Sequence, residues 1–167
     1  MTHQPHPDTG SRSIATAVVT VSDTRSPNSD RSGSCIQQLL HDAGHRIVAY
    51  EILKDEPNQI QKYLQVLAQR SDIQAVVVNG GTGIAARDTT YDALAGLLEK
   101  TLPGFGEVFR WLSYQEIGSR AIASRAVAGV YRRKLIFSLP GSTAAVTLAM
   151  EKLILPELIH LVTQLES

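Results

Sequence analysis

Val76-Val77-Val78-Asn79-Gly80-Gly81-Thr82-Gly83, with Arg87-Asp88 shortly after it, joins an apolar run to a glycine turn and a charged pair. An unbroken β-branched run suits a strand covered on both faces, as in parallel sheets flanked by helices. Glycines let backbone N–H groups approach phosphate oxygens with no Cβ in the way, and a helix starting just beyond adds its positive dipole end. The turn is neither the Walker pattern, since no Lys-Ser/Thr follows, nor the dinucleotide fingerprint. Taken alone, it reads equally well as a sharp turn with no ligand.

Outward from this stretch the chain alternates. Upstream, 15–21 is an apolar run of strand length, and 33–43 places Cys35, Ile36, Leu39, Leu40 and Ala43 on one helical face. A strand at 47–53 precedes a helix at 57–69, where Ile60, Leu64, Leu67 and Ala68 recur with helical spacing and Pro57 suits the first turn. Downstream, 134–137 reads as a strand and 144–162 as a helix apolar around much of its circumference. The fold expected is an α/β three-layer sandwich with a mostly parallel central sheet and right-handed crossovers. Ligands in such sheets collect at the carboxyl ends of the strands.

The 167 residues, 43% hydrophobic and 19% charged, are enough for one well-buried core, so a single domain over 14–167 is expected. Residues 1–13, polar and without an apolar run, read as a disordered leader and not as a signal or membrane span. Sixteen basic and sixteen acidic residues give no net pull toward nucleic acid or an anionic membrane, so an anionic ligand must be recognised in a pocket. The single cysteine excludes an internal disulfide and suits the cytoplasm; Cys35 reads as a small core residue. His41, His45 and His160 lack metal spacing and read as solvent-facing. A helix near 105–112 would put Phe105, Val108, Phe109 and Leu112 on its core face, leaving Trp111 for a subunit contact.

The strand ends carry the candidate chemistry. The first offers Ser22-Asp23-Thr24-Arg25 and then Asp30-Arg31-Ser32-Gly33; the second, Lys54-Asp55-Glu56; the third, Asn79, the glycine turn and Arg87-Asp88. A further turn, Ser138-Leu139-Pro140-Gly141-Ser142-Thr143, offers a helix N-terminus to an anion. Each has a plainer reading: Asp55 and Asp88 stand where an Asp caps a helix, Thr89 with Asp92 makes a partial capping box, and Asp23 and Asp30 can shape loops through Asx turns. Their coincidence at one sheet edge favours a site. Carboxylates beside a phosphate-friendly turn repel their ligand unless a divalent cation lies between, which points to a magnesium nucleotide held by Asp55 and Asp88. Arg25, Arg87 and Arg125 are candidate charge stabilisers, and Ser22, Ser113, Ser138 and Ser142 candidate hydroxyl donors.

Val19-Thr20-Val21-Ser22-Asp23, Asn79-Gly80-Gly81-Thr82-Gly83, Arg87-Asp88-Thr89-Thr90, Pro103-Gly104-Phe105-Gly106-Glu107, Ser124-Arg125-Ala126 and Leu139-Pro140-Gly141-Ser142 together resemble, in order, the MoaB/MogA family of molybdenum cofactor biosynthesis proteins. The resemblance runs from about Ile14 to the C-terminal helix and is nearest the MoaB branch. It implies a molybdopterin-binding domain whose active members are molybdopterin adenylyltransferases, using ATP and Mg2+ to place AMP on the terminal phosphate of molybdopterin with release of pyrophosphate. The family's two catalytic aspartates fall on Asp55 and Asp88. Its glycine turn falls on Gly80, Gly81, Thr82 and Gly83, expected to hold molybdopterin, and its Pro-Gly-Ser segment on Pro140, Gly141 and Ser142. The resemblance also implies a homotrimer, or a hexamer of two trimers, and a downstream molybdate-insertion protein as partner. Where the motif commonly reads Asp-Val-Thr-Pro-Glu-Ala, this chain has Asp88-Thr89-Thr90-Tyr91-Asp92-Ala93, a change expected to alter loop stiffness more than chemistry. Two other readings stand beside the adenylyltransferase: a molybdopterin-binding or scaffold protein without turnover, and an unrelated nucleotide-binding module.

Overall fold

The computed structural model describes residues 11–167. Six strands form one mixed sheet in the order β2-β1-β3-β6-β5-β4. In chain order they are β1 (Ala15–Val21), β2 (Arg46–Leu53), β3 (Ala75–Asn79), β4 (Lys100–Thr101), β5 (Val127–Tyr131) and β6 (Lys134–Leu139). The helices are α1 (Arg31–Asp42), α2 (Pro57–Gln69), α3 (Thr90–Ala95), α4 (Pro103–Ile117), α5 (Thr143–Ala149) and α6 (Leu155–Glu166). β2, β1, β3 and β6 are parallel, whereas β5 runs antiparallel to both β6 and β4.

Period-two alternation splits the core between the two faces of the sheet. Val18, Ala75, Val77, Leu135, Phe137 and Leu139 pack with Ile36 and Leu40 of α1, Phe109 of α4 and Val146, Leu158 and Val162 of the C-terminal helices. Ala17, Val19, Val21, Val76, Val78 and Ile136 face the other way, onto Ile60, Leu64 and Leu67 of α2 and Ala93 and Leu94 of α3. The result is the α/β/α sandwich expected. The run from α5 to α6 is joined by a π-helical segment, Met150–Ile154. Pro156 sits in the first turn of α6, and a proline there has no N–H to continue the ladder.

The antiparallel edge was not among the sequence expectations. β5 and β6 form a hairpin whose tip, Arg132-Arg133, has positive φ at both positions, 45° and 61°. Such a turn ordinarily carries Asn-Gly, so the hairpin had no sequence signal. The core face of α4 also differs from expectation. Val108 is exposed, and Gly106, Phe109 and Ser113 are the buried positions, with Phe105 and Leu112 half-buried beside them. A Cβ at Gly106 would come within 2.7 Å of the Ala126 carbonyl oxygen, so the missing side chain lets the helix approach the backbone leading into β5 and turns that side inward.

Of the leader expected at 1–13, residues 1–10 lie outside the described residues. Arg12 is attached to α6, donating to Thr163 Oγ1 (3.2 Å) and pairing with Glu166.

The four parallel strands end in line. Val21 lies opposite Leu53, Thr20 opposite Asn79, and Asn79 opposite Leu139. From β1 the chain moves outward to β2 and then returns to β3 on the other side of β1, so the carboxyl ends of β1 and β3 form a topological switch point. That is where open α/β sheets place ligands.

Candidate active site

Two adjoining cavities open at this switch point. The larger, about 550 Å³, is lined by Ser22, Thr24 and Arg25 after β1, by Gly80, Gly81, Thr82, Gly83 and Asp88 after β3, and by Pro140, Gly141 and Ser142 after β6. Phe109, Ser113 and Ile117 of α4, with Arg120, Ala123 and Ser124 beyond it, close the far wall. The smaller cavity, about 200 Å³, is lined by Ser22, Asp23, Thr24, Asp55, Gly81, Arg87 and Asp88. Val21, Ser22, Thr24, Gly81 and Asp88 belong to both.

The glycines are where the backbone cannot carry a side chain. Gly80 has φ +98°, and a Cβ on it would lie 2.2 Å from the Val21 carbonyl oxygen. Gly81 has φ +64°, and its Cβ would fall 2.0 Å from Thr90 Oγ1 and 2.5 Å from Asp55 Oδ2. Only glycine lets the turn thread between two strand ends and still lie against Asp55.

Neither candidate catalytic aspartate caps its own helix. The N-cap of α2 is Glu56 and that of α3 is Thr89, and neither makes a side-chain cap bond, which sets aside the capping readings of Asp55, Asp88 and Thr89-Asp92. Asp55 instead reaches across the sheet edge: its Oδ1 accepts from Thr89 N–H (3.1 Å), Thr89 Oγ1 (2.7 Å) and Thr90 Oγ1 (3.3 Å). Its own N–H donates to Asp23 Oδ1 (3.1 Å), so Asp23 braces the Asp55 loop. Among the described residues Asp88 Oδ2 accepts only from Ala85 N–H (3.1 Å). Each carboxylate therefore keeps one oxygen, Asp55 Oδ2 and Asp88 Oδ1, without a donor from the described residues. Arg87, beside them and exposed, has no hydrogen bond or ion pair among the described residues.

Asp30, Gly33 and Asn79 line neither cavity and belong to a buried layer beneath. Asp30 is the N-cap of α1; its Oδ1 accepts from Gly33 N–H (3.0 Å) and its Oδ2 from the Tyr50 hydroxyl (2.7 Å). Asn79 donates to Thr20 Oγ1 (2.9 Å) and accepts from Ser32 Oγ (2.7 Å). Burial opposes the charge on Asp30, but bonds from Thr20, Tyr50 and the Gly33 N–H, with the nearby Arg25 charge, outweigh it and hold its pKa below the ordinary carboxylate value. Burial, and the bond it gives to the charged Asp30, push the Tyr50 pKa up.

Arg25 extends this layer to the cavity rim, donating to Ser32 Oγ and to the Gly141 carbonyl (2.9 Å). Gly141 packs close to Gly80, where a Cβ would meet Gly80 Cα at 3.1 Å. Ser142 caps α5 by accepting from Ala145 N–H (3.1 Å), and Ser22 Oγ accepts from Arg25 N–H (3.1 Å). Ser113 lies on the far wall, whereas Ser138 is buried inside β6 and its hydroxyl has no partner among the described residues. Arg125 spends its guanidinium on the protein, on the backbone of the glycine turn and on Asp92. His45 corrects its expectation: it is buried, and its Nδ1 accepts from Ile14 N–H (3.2 Å), while burial lowers its pKa. Arg120 and Ser124, the latter with a buried hydroxyl that has no partner among the described residues, were not singled out as site residues from sequence.

With this geometry in view, comparison with known proteins is decisive. A family model described as "Probable molybdopterin binding domain" matches residues 17–160. The chain belongs to the MoaB/MogA family of molybdenum cofactor biosynthesis proteins. It is 51% identical over 166 residues to molybdenum cofactor biosynthesis protein B of Halalkalibacterium halodurans, covering 99% of this chain and 98% of that one. A crystal structure of a molybdenum cofactor biosynthesis protein B superposes with a TM-score of 0.92 at 47% identity, covering 94% and 98% of the two chains. The tungsten cofactor synthesizing protein MoaB from Pyrococcus furiosus gives 0.84 at 34% identity, covering 93% and 99%. In this MoaB/MogA member no helix among the described residues is long and apolar enough to cross a membrane.

Proposed function

We propose that this protein is a molybdopterin adenylyltransferase, acting on ATP and molybdopterin in the cytoplasm. The observation that carries the reading is that Asp55 and Asp88, from separate strand ends, line one small cavity beside Gly81, each with a carboxylate oxygen that has no donor among the described residues, and that this cavity shares a wall with a much larger one. The arrangement suits two substrates meeting at one point. In the reaction a terminal phosphate oxygen of molybdopterin attacks the α-phosphorus of ATP, the bond from that phosphorus to the bridging oxygen breaks, and pyrophosphate leaves with the electron pair. The attacking monoester is already anionic, so no strong base is required. The protein's work is alignment and charge neutralisation.

The donor set fits magnesium. Asp55 and Asp88 supply hard carboxylate oxygens, and among the described residues no cluster of three or more His, Cys, Asp or Glu forms a dedicated cage. Mg2+ favours one or two carboxylates together with substrate phosphates over an all-protein cage. Asp55 and Asp88 would hold it, and bound there with the triphosphate it supplies charge neutralisation at the phosphoryl oxygens. Arg87, without a hydrogen-bond or ion-pair partner among the described residues and on the same rim, is positioned to add positive charge. The glycine turn and the α5 N-terminus offer backbone N–H groups to the phosphate ends of the substrates.

Self-association fits the exposed apolar side chains on and after α4. Trp111 is 61% and Ile122 84% exposed, with Tyr114 and Ile117 also open. A surface of this kind suits a trimeric or hexameric contact, or a downstream molybdate-insertion partner. The test of function is transfer of label from α-labelled ATP to molybdopterin, with and without magnesium. Labelled product that requires the metal supports the transferase. Tight molybdopterin binding with no transfer makes the protein a binding or scaffold member, and ATP binding without pterin binding makes it a nucleotide module of another kind.

A further inference from the structure

We propose that Arg125 is a positioning residue of the site, a clamp that fixes the segment carrying Asp88 and turns its peptide N–H groups toward the ligand. Arg125 lies outside both cavities, in the connection between α4 and β5, yet its guanidinium is committed to the loop between β3 and α3 and to the start of α3. Nε donates to the Thr82 carbonyl (3.1 Å), one terminal nitrogen to the Gly83 carbonyl and to the Asp88 carbonyl (3.3 Å), and the other to both carboxylate oxygens of Asp92 (3.2 and 3.1 Å). The cation also lies over the Tyr91 ring, 4.8 Å from its centre. One side chain thus grips both ends of an otherwise exposed stretch that includes Ile84, 81% exposed, and Arg87.

The consequence follows from peptide geometry. In a trans peptide the carbonyl and the next N–H point in opposite directions. With the Thr82, Gly83 and Asp88 carbonyls drawn onto Arg125, the N–H groups of Gly83, Ile84 and Thr89 face the other way. Thr89 N–H goes to Asp55 Oδ1, while those of Gly83 and Ile84 have no acceptor among the described residues. The clamp therefore presents two adjacent donors for an anion and ties the placement of Asp88 to that of Asp55. A lysine keeps the charge but has neither the planar fork nor the ring stacking, so it cannot make these bonds together.

The catalytic arm of the test rests on the adenylyltransferase reading; the structural arm does not. Hydrogen exchange across 83–89 is measured in the full-length protein and in Arg125→Lys and Arg125→Met, beside melting temperature and steady-state AMP transfer. The expected result is exchange faster by on the order of tenfold or more at the hydrogen-bonded amides of this segment, those of Ala85, Asp88 and Thr89, in both variants, with the central strands protected as before. kcat falls by a similar factor, KM for ATP changes little, and lysine does not rescue. Wild-type exchange and turnover in Arg125→Lys would overturn the proposal. So would acceleration spread evenly over the sheet, which marks global destabilisation. If the Arg125 variants do not fold, Asp92→Asn and Tyr91→Leu, which each remove one contact, are expected to give a smaller local acceleration; no change in either would count against the clamp. If the intact protein transfers no AMP, the functional reading fails while the exchange comparison still decides the clamp.

Discussion

Replacing Asp30 by alanine separates a buried scaffold residue from a ligand contact. Asp30 is 1% exposed: it caps α1 through Gly33 N–H, accepts the Tyr50 and Thr20 hydroxyls, and sits beside Arg25, which holds Gly141. Loss of an N-cap costs about 1 kcal/mol. Leaving the Tyr50 and Thr20 hydroxyls without their acceptor costs roughly 1 kcal/mol each, for a total of about 3 kcal/mol. In a chain of this size that lowers the melting temperature by about 6–12 °C. Urea unfolding followed by circular dichroism measures it. The sign of the pH dependence is fixed: the folded pKa lies below the unfolded value near 3.9, so the contribution is complete above about pH 4 and is lost as pH falls through the folded pKa. The gap between wild type and variant is therefore widest near neutrality and closes in acid. The milder Asp30→Asn, which keeps an acceptor for Gly33, should leave molybdopterin affinity within about threefold, under 1 kcal/mol. A stability loss below about 1 kcal/mol in Asp30→Ala, or a collapse of affinity in a well-folded Asp30→Asn, refutes the reasoning.

Other substitutions probe the remaining features. Gly81→Ala places a methyl group against Thr90 Oγ1 and Asp55 Oδ2 at a positive φ, and should lower stability by about 2–3 kcal/mol while removing AMP transfer, read by thermal melts and label transfer. Burial lowers the His45 pKa, so its contribution to stability is complete above about pH 6.5 and declines as pH falls from there toward the folded value. Melting temperatures between pH 8 and 5 should show that limb in wild type and a flatter one in His45→Gln. Arg133→Gly relieves a side chain at φ 61° in the hairpin tip and should stabilise by about 0.5–1 kcal/mol in urea titrations, with AMP transfer unchanged.

Some of this architecture was open to reading because burial on both faces leaves a plain mark. β1 and α2 have the bounds that the apolar runs and Pro57 imply, and β3 adds Ala75 before the Val76-Val77-Val78 run and Asn79 after it. β5 left no such mark: Val-Ala-Gly-Val-Tyr has a glycine at its centre and ends in an Arg-Arg turn, while β4 has only two residues. Gly129 is needed because a Cβ there would meet the Lys100 carbonyl oxygen at 2.3 Å, a constraint set by the neighbouring strand and invisible along the chain. In the site, position at a strand end marked Asp23, Asp30, Asp55 and Asp88 alike. Depth separates them, and depth is a tertiary property: Asp30 lies under the cavities, while Asp23, Asp55 and Asp88 line one of them. Asp30 caps α1 because that helix begins at Arg31, two residues before the apolar pattern starts, so its role was hidden behind the Asx-turn reading. Arg125 stood within a recognised motif, but its target lies some forty residues earlier in the chain.

The two line-of-contact aspartates decide the matter most directly. Pyrophosphate release from magnesium-ATP and molybdopterin should be measured for the intact protein and for Asp55→Asn and Asp88→Asn, with melting temperatures in parallel. If the carboxylates act at the reacting phosphates, the intact protein turns over and each variant loses on the order of a hundredfold or more in rate, with Asp88→Asn keeping its melting temperature within a few degrees. Turnover at the intact rate in both folded variants would contradict the assignment of Asp55 and Asp88 as the catalytic pair.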